Sequence, residues 1–213
     1  MDITDIAVYV LLGLTSVTAV GVTLWRGWSL RWNQVVPPLL VGALSECRSS
    51  KEVPTVRHLC EAQPSPLGRL VLTAANHLDW PKAENVGSLE TAARHEIVKL
   101  ERGLVVLEII VGIAPLLGLV GTIFGMITVF GDIGQSGLNN TNDAAKLAQG
   151  ISLILRTTLI GLLISIPSLV AWSYFNKKIE VLAVEMETLC DEFVRRQYKM
   201  EEKPQAGARP KTD

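Results

Sequence analysis

The fold is decided by two uncharged stretches, IIVGIAPLLGLVGTIFGMITVF (residues 109–130) and TTLIGLLISIPSLVAWSYF (residues 157–175). As helices, both are long enough to cross a bilayer core of roughly 30 Å. They are nevertheless crowded with Gly, Thr, Ser and Pro, residues that are favoured where membrane helices press together or line a wet path. Both stretches are therefore predicted to be functional spans and not simple anchors.

A third stretch, residues 7–25, is nearly continuous in Val, Leu, Gly and Thr. Tryptophans cluster around and just beyond its end, at Trp25, Trp28 and Trp32, and this position suits the lipid interface. Asp2 and Asp5 stand where a cleavable signal peptide would have a basic start. We interpret the stretch as a retained first span, so the fold class is an all-α integral membrane protein with three transmembrane helices.

Basic residues set the predicted orientation, because Lys and Arg resist translocation. They follow the first span (Arg26, Arg31) and the third (Lys177, Lys178), whereas the connection between spans two and three is rich in Gly and Asn. The N-terminus and that connection are therefore predicted outside, and the C-terminus inside. The predicted order is an external N-terminus (1–6), span one (7–25), a cytosolic helical region (26–107), span two (108–131), an external loop (132–149), span three (150–175), a cytosolic helical extension (176–202) and a disordered tail (203–213).

Composition argues against several classes of function. The formal net charge of −1 gives no indication of nucleic-acid binding. The three cysteines are odd in number, lack CxxC spacing and fall in predicted cytosolic parts, so reduced thiols are expected. No histidine pair has metal-ligand spacing on a common helical face, and no catalytic triad or Walker loop is present. We expect neither an enzyme nor a bound metal or cofactor.

The predicted cytosolic region contains two kinds of sequence. Prolines between Trp28 and Pro81 limit the helices there to short pieces, of which Leu67 to Leu78 is the clearest. Ser88 is predicted to cap a longer helix that runs without a breaker into span two, where Pro115 should kink or loosen it. Spans two and three are thus both predicted to continue as long cytosolic helices.

One helical seam extends from span three into the cytosolic extension. Its positions step by threes and fours from Thr158 through Gly161, Ser165 and Ser168 to Phe193. It is small and polar in the membrane and large and apolar beyond, as expected if copies of this helix enclose a narrow passage and close it with a hydrophobic bundle. The alternative is that the seam packs only on the chain's own second helix. We favour the first interpretation, because a three-span protomer has few internal surfaces for so long a seam.

Several motifs in the two polar spans resemble those of a known family. They are IAPLLGLVGTIFGMI (113–127), Gly150-Ile151, TTLIGL (157–162) and Ile166-Pro167. Over residues 101–176 the chain resembles the ExbB/TolQ/MotA family and is most similar to the ExbB and TolQ branch. The resemblance implies a homo-oligomeric, pentameric ring in the bacterial inner membrane, which surrounds a pair of single-span ExbD-like or TolR-like partners.

The resemblance also implies a function. Protons passing an Asp of the partner helix would drive a movement that TonB, or a Tol-Pal system, transmits to the outer membrane. An ExbB-like motor subunit for TonB-dependent transport is therefore expected, with protons as the transported ion. Two alternatives stay open: a TolQ-like subunit for envelope integrity, and a non-conducting scaffold of the same fold.

Family roles can be assigned to individual residues through the resemblance. Thr122 and Thr158 match the two pore-facing threonines, whose hydroxyls both donate and accept, as a proton relay requires. Gly161 and Ser165 lie on the Thr158 face and are predicted to line the same pathway. In the alternative, each buried threonine simply bonds a carbonyl of its own helix. The positions predicted to shape or pack the helices are Pro115, Gly118, Gly121, Gly125 and Pro167.

Three further positions concern charge. Glu108 matches an acidic residue of this branch and is either the inner exit of the proton path or a carboxylate that snorkels to the interface. Leu153 stands where the family usually has a Glu, and this departure is the main support for the scaffold alternative. Arg156 points nearly away from Thr158 and is expected to be an assembly or interface charge, which could pair with Asp132 or Asp143.

Overall fold

The computed structural model describes residues 3–47, 52–136 and 141–206, and these ranges are helical apart from short connections. The all-α prediction is confirmed. The helices are α1 (Ile3–Ser29), α2 (Trp32–Val35), α3 (Pro38–Glu46), α4 (Val53–Ala62), α5 (Pro66–Asn76), α6 (Lys82–Glu101), α7 (Leu104–Ser136) and α8 (Thr141–Ala206). Among the described residues, three segments are long and apolar enough to cross a membrane: Ile6–Ser29, Leu104–Gly131 and Ala148–Lys199.

The chain forms two compact units. The first comprises residues 1–27 and 103–175, and the second comprises residues 28–102 and 176–213. In the first unit α1 buries Val8, Leu12 and Ala19, which recur at helical spacing, and α7 buries Leu107 and Ala114. The unit that contains the polar spans therefore has its own helix-packed core.

Prolines in the second unit begin helices more often than they interrupt them. Pro38, Pro54 and Pro66 lie in the first turns of α3, α4 and α5, where the missing N–H costs no hydrogen bond. The Ser65 hydroxyl accepts a 3.0 Å hydrogen bond from the Gly68 N–H and so caps α5. The bounds of α5 are within two residues of Leu67 and Leu78, which the sequence predicted as the ends of the clearest short helix in this region.

The apolar half of the α8 seam is buried inside the second unit of the same chain. Ile179, Leu182, Met186 and Phe193 are each no more than 2 % exposed. The interpretation of this half as a bundle between copies is therefore wrong, because the short helices of the second unit supply an internal surface that covers these side chains.

A buried carboxylate lies in the second unit. Glu96 is 4 % exposed and accepts hydrogen bonds from Arg69 and, at 2.8 Å, from Lys99. Burial alone would raise the pKa of Glu96, but the hydrogen bonds and positive charges of the two cations outweigh burial and lower it. Glu96 is thus held as an anion whose partners remain close to half exposed at the surface.

Two expectations about α6 need correction. The helix begins at Lys82 after Pro81, so Ser88 lies within it and does not cap it; the fixed φ of Pro81 suits a helix start. Nor does α6 run unbroken into span two, because it ends at Glu101 and α7 begins at Leu104. Within the first unit, the Arg26 guanidinium occupies the space where a side chain at Gly103 would lie, which explains why glycine stands at this break.

The connection between spans two and three is more helical than the sequence indicated. Helix α7 continues to Ser136 and α8 begins at Thr141, so most of the predicted loop, residues 132–149, is helical. Good helix formers, Ala144 to Ala148, account for much of this extension. At the other end α8 reaches Ala206, so the tail predicted from 203 begins too early; residues 207–213 lie outside the described ranges.

Candidate functional site

Helices α7 and α8 approach each other at two glycines in the first unit. A methyl group on Gly161 would lie 2.5 Å from the carbonyl oxygen of Ala114, and one on Gly118 would lie 2.9 Å from Thr158 Cα. A side chain at either glycine would overlap the backbone of the other helix, so this close approach requires glycine at both positions. Gly118 and Gly161 therefore bring the backbones of the two polar spans into direct contact.

The same face of α7 continues toward the C-terminal end of the helix with two more glycines. A methyl group on Gly121 would lie 3.0 Å from Val8 Cγ1 of α1 and 3.1 Å from Thr157 Oγ1. One on Gly125 would lie 2.6 Å from Ile154 Cγ1. The glycines on this face of α7 thus leave room for side chains of both α1 and α8 to pack against the helix.

Hydroxyl groups of α8 bond to backbone carbonyls of α7 at this contact. Thr158 Oγ1 donates to the Gly118 carbonyl at 3.3 Å. Thr157 Oγ1 lies 3.3 Å from the same carbonyl and 2.7 Å from the Ile154 carbonyl of its own helix, so its one proton can be donated to either. One carbonyl therefore has two candidate donors, and Thr158 has the more exposed of the two side chains.

Ser165 compensates for a proline in the partner helix. Pro115 lies inside α7 and has no N–H, so the carbonyl four residues before it, that of Val111, lacks its helical donor. Ser165 Oγ donates to this Val111 carbonyl at 2.9 Å. Hydroxyl side chains of neighbouring helices are one means by which membrane helices tolerate proline.

The remaining predicted residues lie apart from this contact. Thr122 is half-buried, and its hydroxyl bonds the Leu119 carbonyl of its own helix at 2.7 Å. Glu108 and Arg156 are exposed, and neither belongs to an ion pair among the described residues. The side chains of Leu153, Asp132 and Asp143 lie outside the described set, and so does the pairing predicted for Arg156. Pro167 is exposed within an unbroken α8.

The sequence thus predicted a functional role for the polar face of α8, but it did not predict that this face bonds backbone carbonyls of α7. Gly161 and Ser165, predicted to line a pathway, here contact α7 of the same chain, as in the alternative stated for the seam. Thr157 was not singled out at all. A signal for Ser165 existed, because a proline at 115 marks the carbonyl at 111 as needing a donor from elsewhere.

Ser165→Ala is expected to lower the free energy of unfolding by roughly 1 kcal/mol, because the Val111 carbonyl would lose its donor inside the membrane. The loss should shrink in a Pro115→Ala background, where residue 115 regains an N–H. Thermal unfolding in detergent of both single variants and the double variant measures this coupling. Ser168→Ala is the matched control, since Ser168 is buried but bonds only Ile164 of its own helix, at 2.7 Å. Equal losses with and without Pro115 would contradict the compensation.

Comparison with known proteins identifies the family. The MotA/TolQ/ExbB proton channel family matches residues 63–188, more than half of the chain and both polar spans. The chain belongs to this family. The family is described as one of proton channels.

Individual members of the family are similar to this chain at moderate identity. A biopolymer transport protein of Synechocystis sp., ExbB-like 1, is 31 % identical over 75 % of this chain and 63 % of its own length. ExbB of Helicobacter pylori is 38 % identical over 39 % of this chain and 56 % of its own length. TolQ of Pseudomonas aeruginosa is 33 % identical over 50 % of this chain and 45 % of its own length. The chain thus spans about half to two thirds of the length of these relatives.

Proposed function

We propose that this chain is the ring-forming subunit of an inner-membrane proton-channel motor of the ExbB type. In this proposal a homo-oligomer, a pentamer by family resemblance, surrounds a pair of single-span ExbD-like partners. The proton motive force then drives a movement that a TonB-like protein transmits to the outer membrane. The N-terminus is placed outside and the C-terminus in the cytosol.

The observation that carries the proposal is the family match over both polar spans, together with the geometry at Thr158. The hydroxyl of Thr158 is half-buried and is held by one long hydrogen bond, 3.3 Å, to the Gly118 carbonyl. Thr157 can keep that carbonyl satisfied when Thr158 turns away. A hydroxyl that is free to reorient can donate to one neighbour while it accepts from another, as proton transfer requires.

The other polar residues take supporting roles in this proposal. Thr122 keeps an acceptor oxygen available beside its bond to Leu119, so it can belong to the same path. Gly161 and Ser165 fix α8 on α7 and so hold Thr158 in position. Glu108, exposed near the first turns of α7, is proposed as the inner exit, and Arg156 as a charge that faces another subunit or partner.

A TolQ-like role in envelope integrity is the second candidate, because the Pseudomonas aeruginosa TolQ matches half of this chain. The two candidates differ in the system that they energise. Expression in a strain that lacks its own ExbB, and separately in one that lacks its own TolQ, distinguishes them. Restored outer-membrane uptake supports the ExbB type, and restored detergent resistance supports the TolQ type.

The proposal is tested by the native mass and the conductance of the purified complex. After co-expression with a single-span partner encoded beside this chain, we expect a complex of five copies with two partners, which releases a pH gradient when reconstituted in vesicles. A complex that retains its oligomer but neither binds a partner nor conducts protons would favour the scaffold.

A further inference from the structure

A buried arginine near the end of α1 has no anionic partner among the described residues. Arg26 is only 4 % exposed, and its Nε makes no hydrogen bond. Its guanidinium packs against Gly103, where an added methyl group would lie 3.0 Å from both Cζ and Nη2 of Arg26. The Cζ atom of Arg26 also lies 5.6 Å from the centre of the Trp25 ring. The ion pairs of the described residues do not include it.

This arrangement is costly without a counter-ion. A guanidinium cannot lose its proton in a protein, so Arg26 cannot relieve burial by becoming neutral. A buried charge is retained only where an opposite charge and hydrogen-bond acceptors compensate for its lost hydration. The geometry therefore points to an anion that binds Arg26 and is supplied from outside the described chain.

A groove between α1 and α8 indicates what kind of anion this is. The groove has a volume of about 570 Å³ and is mostly apolar. Its lining comes from α1, between Tyr9 and Leu24 and including Ser16 and Thr23, and from α8, including Pro167. Arg26 follows Ser16, Ala19 and Thr23 at steps of three and four, so it lies on the same face of α1, one turn beyond the groove's end.

We propose that this groove binds one acyl chain of an anionic phospholipid, whose phosphate is held by Arg26. Trp25 and Trp28 are 64 % and 69 % exposed around this end of α1, as expected at the level of lipid headgroups. The basic residues after span one predict that this end is cytosolic, so the lipid belongs to the cytosolic leaflet. A molecule that is anionic at this depth and apolar along the adjacent groove is a membrane phospholipid.

Thermal unfolding of the full-length chain in detergent tests the proposal directly. Phosphatidylglycerol should raise the midpoint by roughly 5 to 10 °C near saturation. Phosphatidylcholine should raise it less, because its ammonium group offsets the phosphate charge. An equal rise with inorganic phosphate alone would show a free-anion site and overturn the lipid proposal.

Arg26→Gln separates binding from structure. Removing an unpaired buried charge should leave the midpoint in lipid-free detergent unchanged or higher, while the gain from phosphatidylglycerol is lost. Arg26→Lys should keep part of the gain. Arg31→Gln, an exposed arginine five residues later, is the matched control and should keep all of it. A full gain in Arg26→Gln would overturn the assignment.

The groove is tested independently of the charge, which keeps the proposal testable if Arg26→Gln does not fold. Ser16→Phe should fill the groove and reduce the gain from long-chain phosphatidylglycerol. Val17→Phe, at a neighbouring position that is 72 % exposed and outside the groove lining, should not. If both variants keep the full gain, the acyl chain does not lie in this groove. A gain that disappears on co-expression of the single-span partner would instead identify a protein helix as the occupant.

Discussion

Thr158→Val is expected to reduce proton flux through the reconstituted complex at least about tenfold, which corresponds to a barrier raised by roughly 1.4 kcal/mol or more. Valine keeps the shape of threonine but can neither donate nor accept a proton. The fold should change little, because the Gly118 carbonyl keeps Thr157 as a donor at 3.3 Å. Flux is measured as the decay of a pH gradient across vesicles that contain the complex with its single-span partner.

Two comparisons make this result specific. Thr158→Ser retains a hydroxyl and should retain most of the flux. Thr15→Val removes the hydroxyl of a half-buried threonine in α1 that bonds Leu12 of its own helix at 2.9 Å, and it should be silent. Conduction by Thr158→Val at the level of the unaltered complex would show that this hydroxyl is not in the path, and the scaffold alternative would gain support.

Gly161→Ala is expected to destabilise the first unit by about 2 kcal/mol, in spite of alanine's better helix propensity. The added methyl would lie 2.5 Å from the Ala114 carbonyl oxygen and 3.3 Å from Gly118 Cα. Both neighbours are backbone atoms, so relief requires α7 and α8 to separate. The consequence should be a lower unfolding midpoint and a smaller fraction of intact oligomer in size-exclusion chromatography.

Gly112→Ala serves as the control for Gly161→Ala. Gly112 also lies in one of the helices long and apolar enough to cross a membrane, α7, but a methyl group there would meet no atom within 4 Å. Gly112→Ala should therefore leave the free energy of unfolding unchanged or raise it slightly. Equal behaviour of the two variants would mean that the α7–α8 contact is looser than its geometry indicates.

The sequence predicted those features that depend on local pattern. Apolar length predicted the three span helices, and spacing placed Thr158, Gly161 and Ser165 on one face of α8. Long-range pairing was not predictable in the same way. Pro115 marks the Val111 carbonyl as lacking its helical donor, but no local pattern says which segment supplies one. The hydroxyls that bond the Gly118 and Val111 carbonyls come from residues 40 and 54 positions away.

The burial of the second half of α8 was not predictable from the spacing of its apolar residues. The apolar residues from Ile179 to Phe193 have the spacing of a helix that packs on something, but spacing does not say on what. The prolines before α6 predicted only that the helices there are short. In the structure the same prolines begin helices, and those helices bury residues such as Leu67 and Val71 completely.

The lowered pKa of Glu96 has a consequence for a protein proposed to pass protons. A folded-state pKa below the ordinary value of 4.5 means that the ion pairs with Arg69 and Lys99 contribute fully to stability above that value. The contribution is lost only as the pH falls through the lower, folded-state pKa. Acidification of the surroundings from neutral pH to about 5 therefore leaves Glu96 ionised and its ion pairs with Arg69 and Lys99 in place.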